Sequence, residues 1–212
     1  MPIDYRKQTD YFLIECLLET ELEYLKKYIE EQYASLKEHE SKIRDLVNDE
    51  IWIEKTEPLP TLGIELLVHS SSYSYQIFYK SALITLYSFF ENLMKEISKI
   101  ARQVAKTDLA PKGIGVLADK EYLTNVIGLK FLGIDTLWEK LNEVRLVRNY
   151  FVHAYLEQAD NKYSNGIKNI SEKNPYLNLD KLSNELTIMD KEYIMEFYSL
   201  IKEIARGLIK NR

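Results

Sequence analysis

Residues 7–48 contain neither Gly nor Pro, and their apolar members recur at three- and four-residue steps. Leu18, Leu22, Leu25, Ile29, Leu36, Ile43 and Val47 trace much of one face of a helix, while Glu and Lys fill the others. At about 1.5 Å of rise per residue the run is roughly 60 Å long, more than a small bundle needs. Its surplus has to be covered, either by the following chain folding back as a hairpin or by a second protomer. The charge-rich side (Glu19, Glu21, Glu23, Glu30, Glu31, Glu38 and Glu40) reads as a solvated surface, and His39 lies within it. Cys16 reads as a packing residue on this helix. As the sole cysteine it excludes a disulfide framework and a thiolate metal cluster.

The prolines of Glu57-Pro58-Leu59-Pro60 break the run and favour an extended connection. Ser70, Ser71 and Ser72 then offer N-caps for a second helix over residues 73–105. Its expected inward set is Ile77, Ser81, Ile84, Tyr87, Phe90, Glu91, Met94, Ile97, Ile100 and Ala101. Residues 107–113 read as a loop. Gly113 and Gly115 lack the spacing and the flanking strand of a phosphate cradle. A short helix is predicted over residues 119–127, closed by Gly128, and a long one from Asp135 to about Gln158. Residues 159–175 read as a mobile loop, followed by two weakly alternating segments, 176–179 and 185–188, that suit a small hairpin. Asp190 is the expected cap of a last helix over residues 191–210, with Ile194, Phe197, Tyr198, Ile201, Ile204, Ala205 and Leu208 inward. The fold class is mainly α. Residues 1–56 form a long helical appendage for packing or dimerisation, and residues 57–212 a helical domain with an accessory β-hairpin.

The chemistry concentrates in Leu146-Val147-Arg148-Asn149-Tyr150-Phe151-Val152-His153-Ala154-Tyr155. On a helix, Leu137, Leu141, Val144, Phe151 and Tyr155 share one stripe, and Arg148 sits in its middle. A guanidinium cannot give up its charge, so on such a face it needs acceptors that are not solvent. Glu91, on the same side of its helix as Tyr87 and Met94, is one carboxylate that could serve. Asn149 and His153, four apart, share a neighbouring face.

The segment Arg148-Asn149-Tyr150-Phe151-Val152-His153 resembles the signature of the HEPN superfamily, an Arg followed after four to six residues by His, with Asn next to the Arg. The upstream Leu86-Tyr87-Ser88-Phe89-Phe90-Glu91-Asn92-Leu93 helix, the Tyr122-Leu123 segment and the motif's place near the end of a long helix add to the likeness, which covers about residues 60–210. The His153-Ala154-Tyr155 continuation is similar to HEPN toxins paired with nucleotidyltransferase antitoxins. The resemblance implies an antiparallel helical bundle and a composite site between two protomers.

RNA carries its own nucleophile, the 2′-hydroxyl, so its cleavage requires no metal and no covalent enzyme intermediate. It requires a base, an acid for the leaving 5′-oxygen, and a cation for the charge building on phosphorus. His153 suits acid/base work near neutral pH, Arg148 suits bidentate phosphate binding, and Asn149 suits positioning. Tyr150 and Tyr155 offer rings for stacking on a base, and Arg145 and Lys140 would widen the basic pocket. At about 100° per residue Arg148 and His153 stand roughly 140° apart, so one motif converges poorly and two facing copies would do better. The expectation is a metal-independent endoribonuclease of the toxin or antiviral-defence type, a homodimer that takes RNA as substrate and an antitoxin or other defence protein as partner. The alternatives are a HEPN module that binds RNA or nucleotide without cutting it, and a helical interaction scaffold.

No cofactor is expected. His39, His69 and His153 are scattered, with no short ligand spacing for a metal. A net charge of −5 excludes a generalised nucleic-acid coat, while leaving room for a local basic pocket. Met1-Pro2-Ile3-Asp4-Tyr5 lacks a basic region followed by an apolar one, and no apolar run spans a bilayer, so the expected setting is cytoplasmic, without a membrane.

Overall fold

The computed structural model describes residues 5–48, 60–129, 135–153 and 164–210. Among them the chain is mainly helical: α1 (Tyr5–Asn48), α2 (Pro60–Ala105), α3 (Val116–Asn125), α4 (Asp135–His153), α5 (Ser164–Lys173) and α6 (Glu192–Lys210). Strands β1 (Leu177–Leu179) and β2 (Leu186–Ile188) pair antiparallel, with Leu177 opposite Ile188 and Leu179 opposite Leu186. The hairpin stands where the alternation of residues 176–188 placed it. No helix among the described residues is long and apolar enough to cross a membrane.

The surplus length of α1 is covered within the chain. Helix α2, of 46 residues, runs back along the 44-residue α1, so that Glu40 meets Tyr75 and Tyr33 meets Phe78. Helix α6 also lies antiparallel on α1, with Tyr198 and Lys202 at Glu23 and Arg206 at Glu19. Leu18, Leu22 and Ile29 of α1 are buried in the same core as Phe90 of α2 and Phe197 of α6. Cys16 is exposed, contrary to its reading as a packing residue. Two residues before Leu18 is about 200° around a helix, and thus the opposite face.

Three further expectations change. Helix α2 begins at Pro60, thirteen residues before Tyr73, because a proline's fixed φ suits the first helical turn as well as it suits an extended link. Ser70, Ser71 and Ser72 therefore lie inside the helix and cap nothing. The Ser74 hydroxyl donates to the Ser70 carbonyl at 2.9 Å, the back-bond by which a helix tolerates serine. Phe78, Ala82, Leu83 and Leu86 are buried where Ile77 and Ser81 were expected, and Ile77 is 54% exposed. Both sets obey helical spacing, and only the position of α1 selects between them. Finally, α5 occupies much of what read as loop. Ile167 and Ile170, buried three residues apart, anchor it.

The outer edge of β2 is closed by side chains. Gln76 of α2 donates to the Ile188 carbonyl at 2.8 Å and accepts from the Ile188 amide at 3.1 Å, as a neighbouring strand would. Two strands alone are marginal, so these bonds hold the hairpin on the bundle. Gln76→Leu is expected to destabilise the protein by about 1–3 kcal/mol, because both Ile188 groups lose their partner at a buried position. Urea unfolding at constant m-value checks this, and a change below the error of the fit would remove the edge-closing role.

The α1–α6 contact carries an acid-sensitive pair. Lys202 Nζ lies 2.9 Å from Glu23 Oε1, and the Tyr198 hydroxyl donates to that oxygen at 2.7 Å. These bonds hold the Glu23 carboxyl at about 2, below its ordinary 4.5. A depressed carboxyl stabilises the fold above its unfolded value and loses that contribution as pH falls through the folded one. The contribution is therefore lost between pH 4.5 and about 2. Because the group is exposed, the effect is small and salt-screened. Melting curves of wild type and Glu23→Gln are expected to differ at pH 6 and converge toward pH 2, and a constant difference would contradict it.

Candidate functional site

Helix α4 buries Trp138, Leu141, Val144 and Val147, and half-buried Leu137 and Phe151 pack on the same core. Arg148 lies within about 40° of Leu137, Leu141 and Val144 around the axis, so its side chain is carried inward with theirs. There it meets Tyr87 of α2, which is 3% exposed. The guanidinium carbon stands 5.4 Å from the centre of the Tyr87 ring, a cation–π placement. Phe197 of α6 stacks on Tyr87 with ring centres 6.2 Å apart. The ring that supports Arg148 is thus part of the core.

The polar partners of Arg148 are few. Its Nη1 donates to Asn149 Oδ1 at 3.0 Å, and its Nε is buried without an acceptor. Arg145, one turn earlier, donates through Nε and Nη2 to Asn142 Oδ1 at 3.0 and 2.8 Å. Neither guanidinium has a carboxylate within ion-pairing distance among the described residues; each is held by a neutral amide oxygen. Glu91 does not pair with Arg148 either. Its Oε1 comes within 3.4 Å of where a Cβ on Gly115 would stand, turned toward the N-terminus of α3, whose dipole favours an anion. Gly115 has φ of 89°, a conformation that a side chain here would strain.

The charges reach Tyr87 from both sides. Burial, then the Glu91 carboxylate, pushes the Tyr87 hydroxyl up to about 12, while Arg145 and Arg148 pull the other way. The phenol therefore stays neutral, and its ring face holds the Arg148 cation. Two guanidinium groups that no carboxylate among the described residues ion-pairs, set against a low-dielectric wall, offer planar donors to an anion with several oxygens.

The other motif residues diverge. His153, the last residue of α4, is exposed and has no side-chain partner among the described residues. Tyr150, one of the two rings read as stacking surfaces, is half-buried and donates its hydroxyl to the Asn184 carbonyl beside β2. Its ring meets Phe151 edge-on at 6.0 Å. Tyr155 lies outside the described residues. Lys140 lines a separate groove between α4, α5 and α6. The structure thus brings Arg148 onto Tyr87 with Asn149 as its hydrogen-bond partner, keeps the Arg145 charge within reach of the same phenol, and leaves His153 at the helix end.

Sequence reasoning missed two contributors. Lys80 lies 5.3 Å over the Phe151 ring and 3.5 Å from Glu185, joining α2, the motif helix and the hairpin. Its only signal is a seven-residue spacing from Tyr87. Asn142 holds Arg145 from the preceding turn, a spacing that could have been noticed. Comparisons of the chain with protein-family models, with curated proteins and with solved structures found no match.

Proposed function

We propose that the protein is a metal-independent endoribonuclease of the kind used in toxin–antitoxin and antiviral defence, working as a homodimer in the cytoplasm. The observation that carries this reading is Arg148: a half-buried guanidinium over Tyr87 that has, among the described residues, no acceptor for its buried Nε and no carboxylate in ion-pairing distance. A cation kept in that state stabilises an incoming anion more than a solvated one does, because part of its desolvation has already taken place. A phosphodiester fits its planar donors.

In this reading the 2′-oxygen of RNA attacks phosphorus, the P–O5′ bond breaks, and a 2′,3′-cyclic phosphate forms. Arg148 holds the non-bridging oxygens as charge builds on them. His153 takes the 2′-proton or delivers one to the leaving 5′-oxygen, and exposure at the end of α4 gives it access to substrate. Asn149, already accepting from Arg148, holds that guanidinium in place. Because Arg148 and His153 point to different sides of one helix, the cleft takes Arg148 of one protomer and His153 of its partner. Within a single chain His153 makes no hydrogen bond to Arg148 or Asn149. That separation favours the second reading, a module that binds RNA or nucleotide without cutting it.

Incubation of a mixed RNA pool in EDTA with wild type and His153→Ala separates the two. Wild type is expected to produce cyclic-phosphate ends and His153→Ala none, with RNA binding retained. Absence of cleavage by wild type, with binding intact, selects the binding module, and absence of both removes RNA as the ligand.

A further inference from the structure

Helix α4 meets α2 at three ring contacts. Trp138 faces Phe90 with ring centres 6.3 Å apart, Arg148 lies over Tyr87 at 5.4 Å, and Lys80 lies over Phe151 at 5.3 Å. As α4 advances α2 recedes, so the two helices run antiparallel along one seam, which leads from Arg148 to Lys80. The hairpin closes its far end, where Tyr150 donates to the Asn184 carbonyl and Lys80 reaches Glu185. Lys80 and Tyr87 are seven residues apart on α2, within about 20° around its axis and about 10 Å along it.

The charge along this seam is unbalanced. Lys80, Arg145 and Arg148 have between them one carboxylate in ion-pairing distance among the described residues, that of Glu185, in a chain whose net charge is −5. That pair is loose. Lys80 Nζ stands 3.5 Å from Glu185 Oε1, whereas charge-assisted hydrogen bonds close to about 2.7–2.9 Å. The two ends also differ, because the Lys80 side chain is 27% exposed and held over a ring, while that of Glu185 is 61% exposed. The cation is fixed in place, and its anion stands in solvent where another can replace it. A carboxylate and a phosphodiester each present two oxygens to the same donors.

We propose, resting on the reading of RNA as substrate and Arg148 as its phosphate ligand, that this seam is the path of the RNA strand. Lys80 holds a second phosphate, and Glu185 occupies the place of that phosphate in the free protein. At about 3.4 Å of rise per nucleotide, the distance along α2 from Tyr87 to Lys80 spans about three nucleotides. Lys80 acts there as a point charge on the backbone, so it positions the strand and reads no sequence. Loss of the Lys80 charge and loss of the Glu185 charge therefore act on RNA affinity in opposite directions. In a purely structural ion pair the two losses would act in the same direction.

Fluorescence anisotropy on the full chain tests this with a 2′-O-methyl single-stranded RNA of mixed sequence, about ten nucleotides long, which lacks the attacking hydroxyl. Lys80→Met is expected to weaken binding by about fivefold at low salt. It should also lower the slope of log affinity against log salt by about 0.7, one phosphate contact on a single strand. Glu185→Gln is expected to tighten binding by about twofold or more. Lys80→Arg is expected to bind as wild type does. Lys99→Met, which removes an exposed cation paired with Glu96 elsewhere on α2, is expected to leave affinity unchanged. Equal weakening by Lys80→Met and Glu185→Gln would mark a structural ion pair, and equal weakening by Lys80→Met and Lys99→Met a diffuse cation atmosphere; either overturns the proposal. Wild-type affinity in both seam variants, with RNA still bound, overturns the path and leaves Arg148 as the phosphate ligand. No RNA binding by wild type removes RNA as the ligand and the path with it.

Discussion

Arg148→Met is expected to lower RNA cleavage by about 10²–10³-fold, the usual effect of removing one preorganised charge-stabilising group, while leaving the melting temperature equal or higher. The two halves of this expectation share one cause. Among the described residues Arg148 has a single hydrogen bond, to Asn149 Oδ1, and a buried Nε without an acceptor. The cation–π contact with Tyr87 contributes about 0.5–2 kcal/mol and is opposed by the desolvation of an unpaired charge. An unbranched apolar side chain keeps the contact with the ring and removes the desolvation, so the net change stays within about 1 kcal/mol. A purely structural arginine would behave in the opposite way, with activity elsewhere intact and stability lost. Cleavage rates and thermal melts of the same preparation decide between them. Retained cleavage, or a fall in melting temperature of many degrees, would end the case for an anion site at Arg148.

Phe197→Ala is expected to destabilise the protein by about 3–5 kcal/mol, the range for truncating a fully buried aromatic. In a chain of this size that corresponds to a melting temperature lower by roughly 6–20 °C. Phe197 is 1% exposed and belongs to the core shared by α1, α2 and α6. It also stacks on Tyr87, the ring beneath Arg148, so the cavity opens directly behind the proposed phosphate site. Loss of cleavage should therefore accompany the loss of stability even at temperatures where the variant is folded. Phe90→Ala, which opens the core beside Trp138, is the comparison. Denaturant unfolding at two temperatures measures both variants, and a Phe197→Ala loss below 1 kcal/mol would mean that this part of the core is loosely packed.

How much of the protein could be read in advance depends on how local each decision is. The helices at residues 5–48 and 192–210, the Asp190 cap and the 177–188 hairpin follow from periodicity, capping and alternation, which act over a few residues. Asp190 accepts from the Glu192 amide at 2.9 Å, as a capping side chain should. The start of α2 was not legible, because Pro60 is equally at home ending an extended link and opening a helix. Helix α5 was hidden because two isoleucines among polar residues become an anchor only when a core is present to receive them.

The candidate site divides in the same way. Sequence alone determined that an always-charged Arg148 would fall on an apolar stripe of a helix and that His153 would lie far around the axis from it. These are consequences of 100° per residue. The tertiary structure alone decided what answers that charge. It supplied Tyr87 and withheld Glu91, whose carboxylate is turned toward α3. It also committed Tyr150 to the hairpin edge. Pairing of charges is a contact between elements distant along the chain, set by which helix faces meet. No local pattern encodes it.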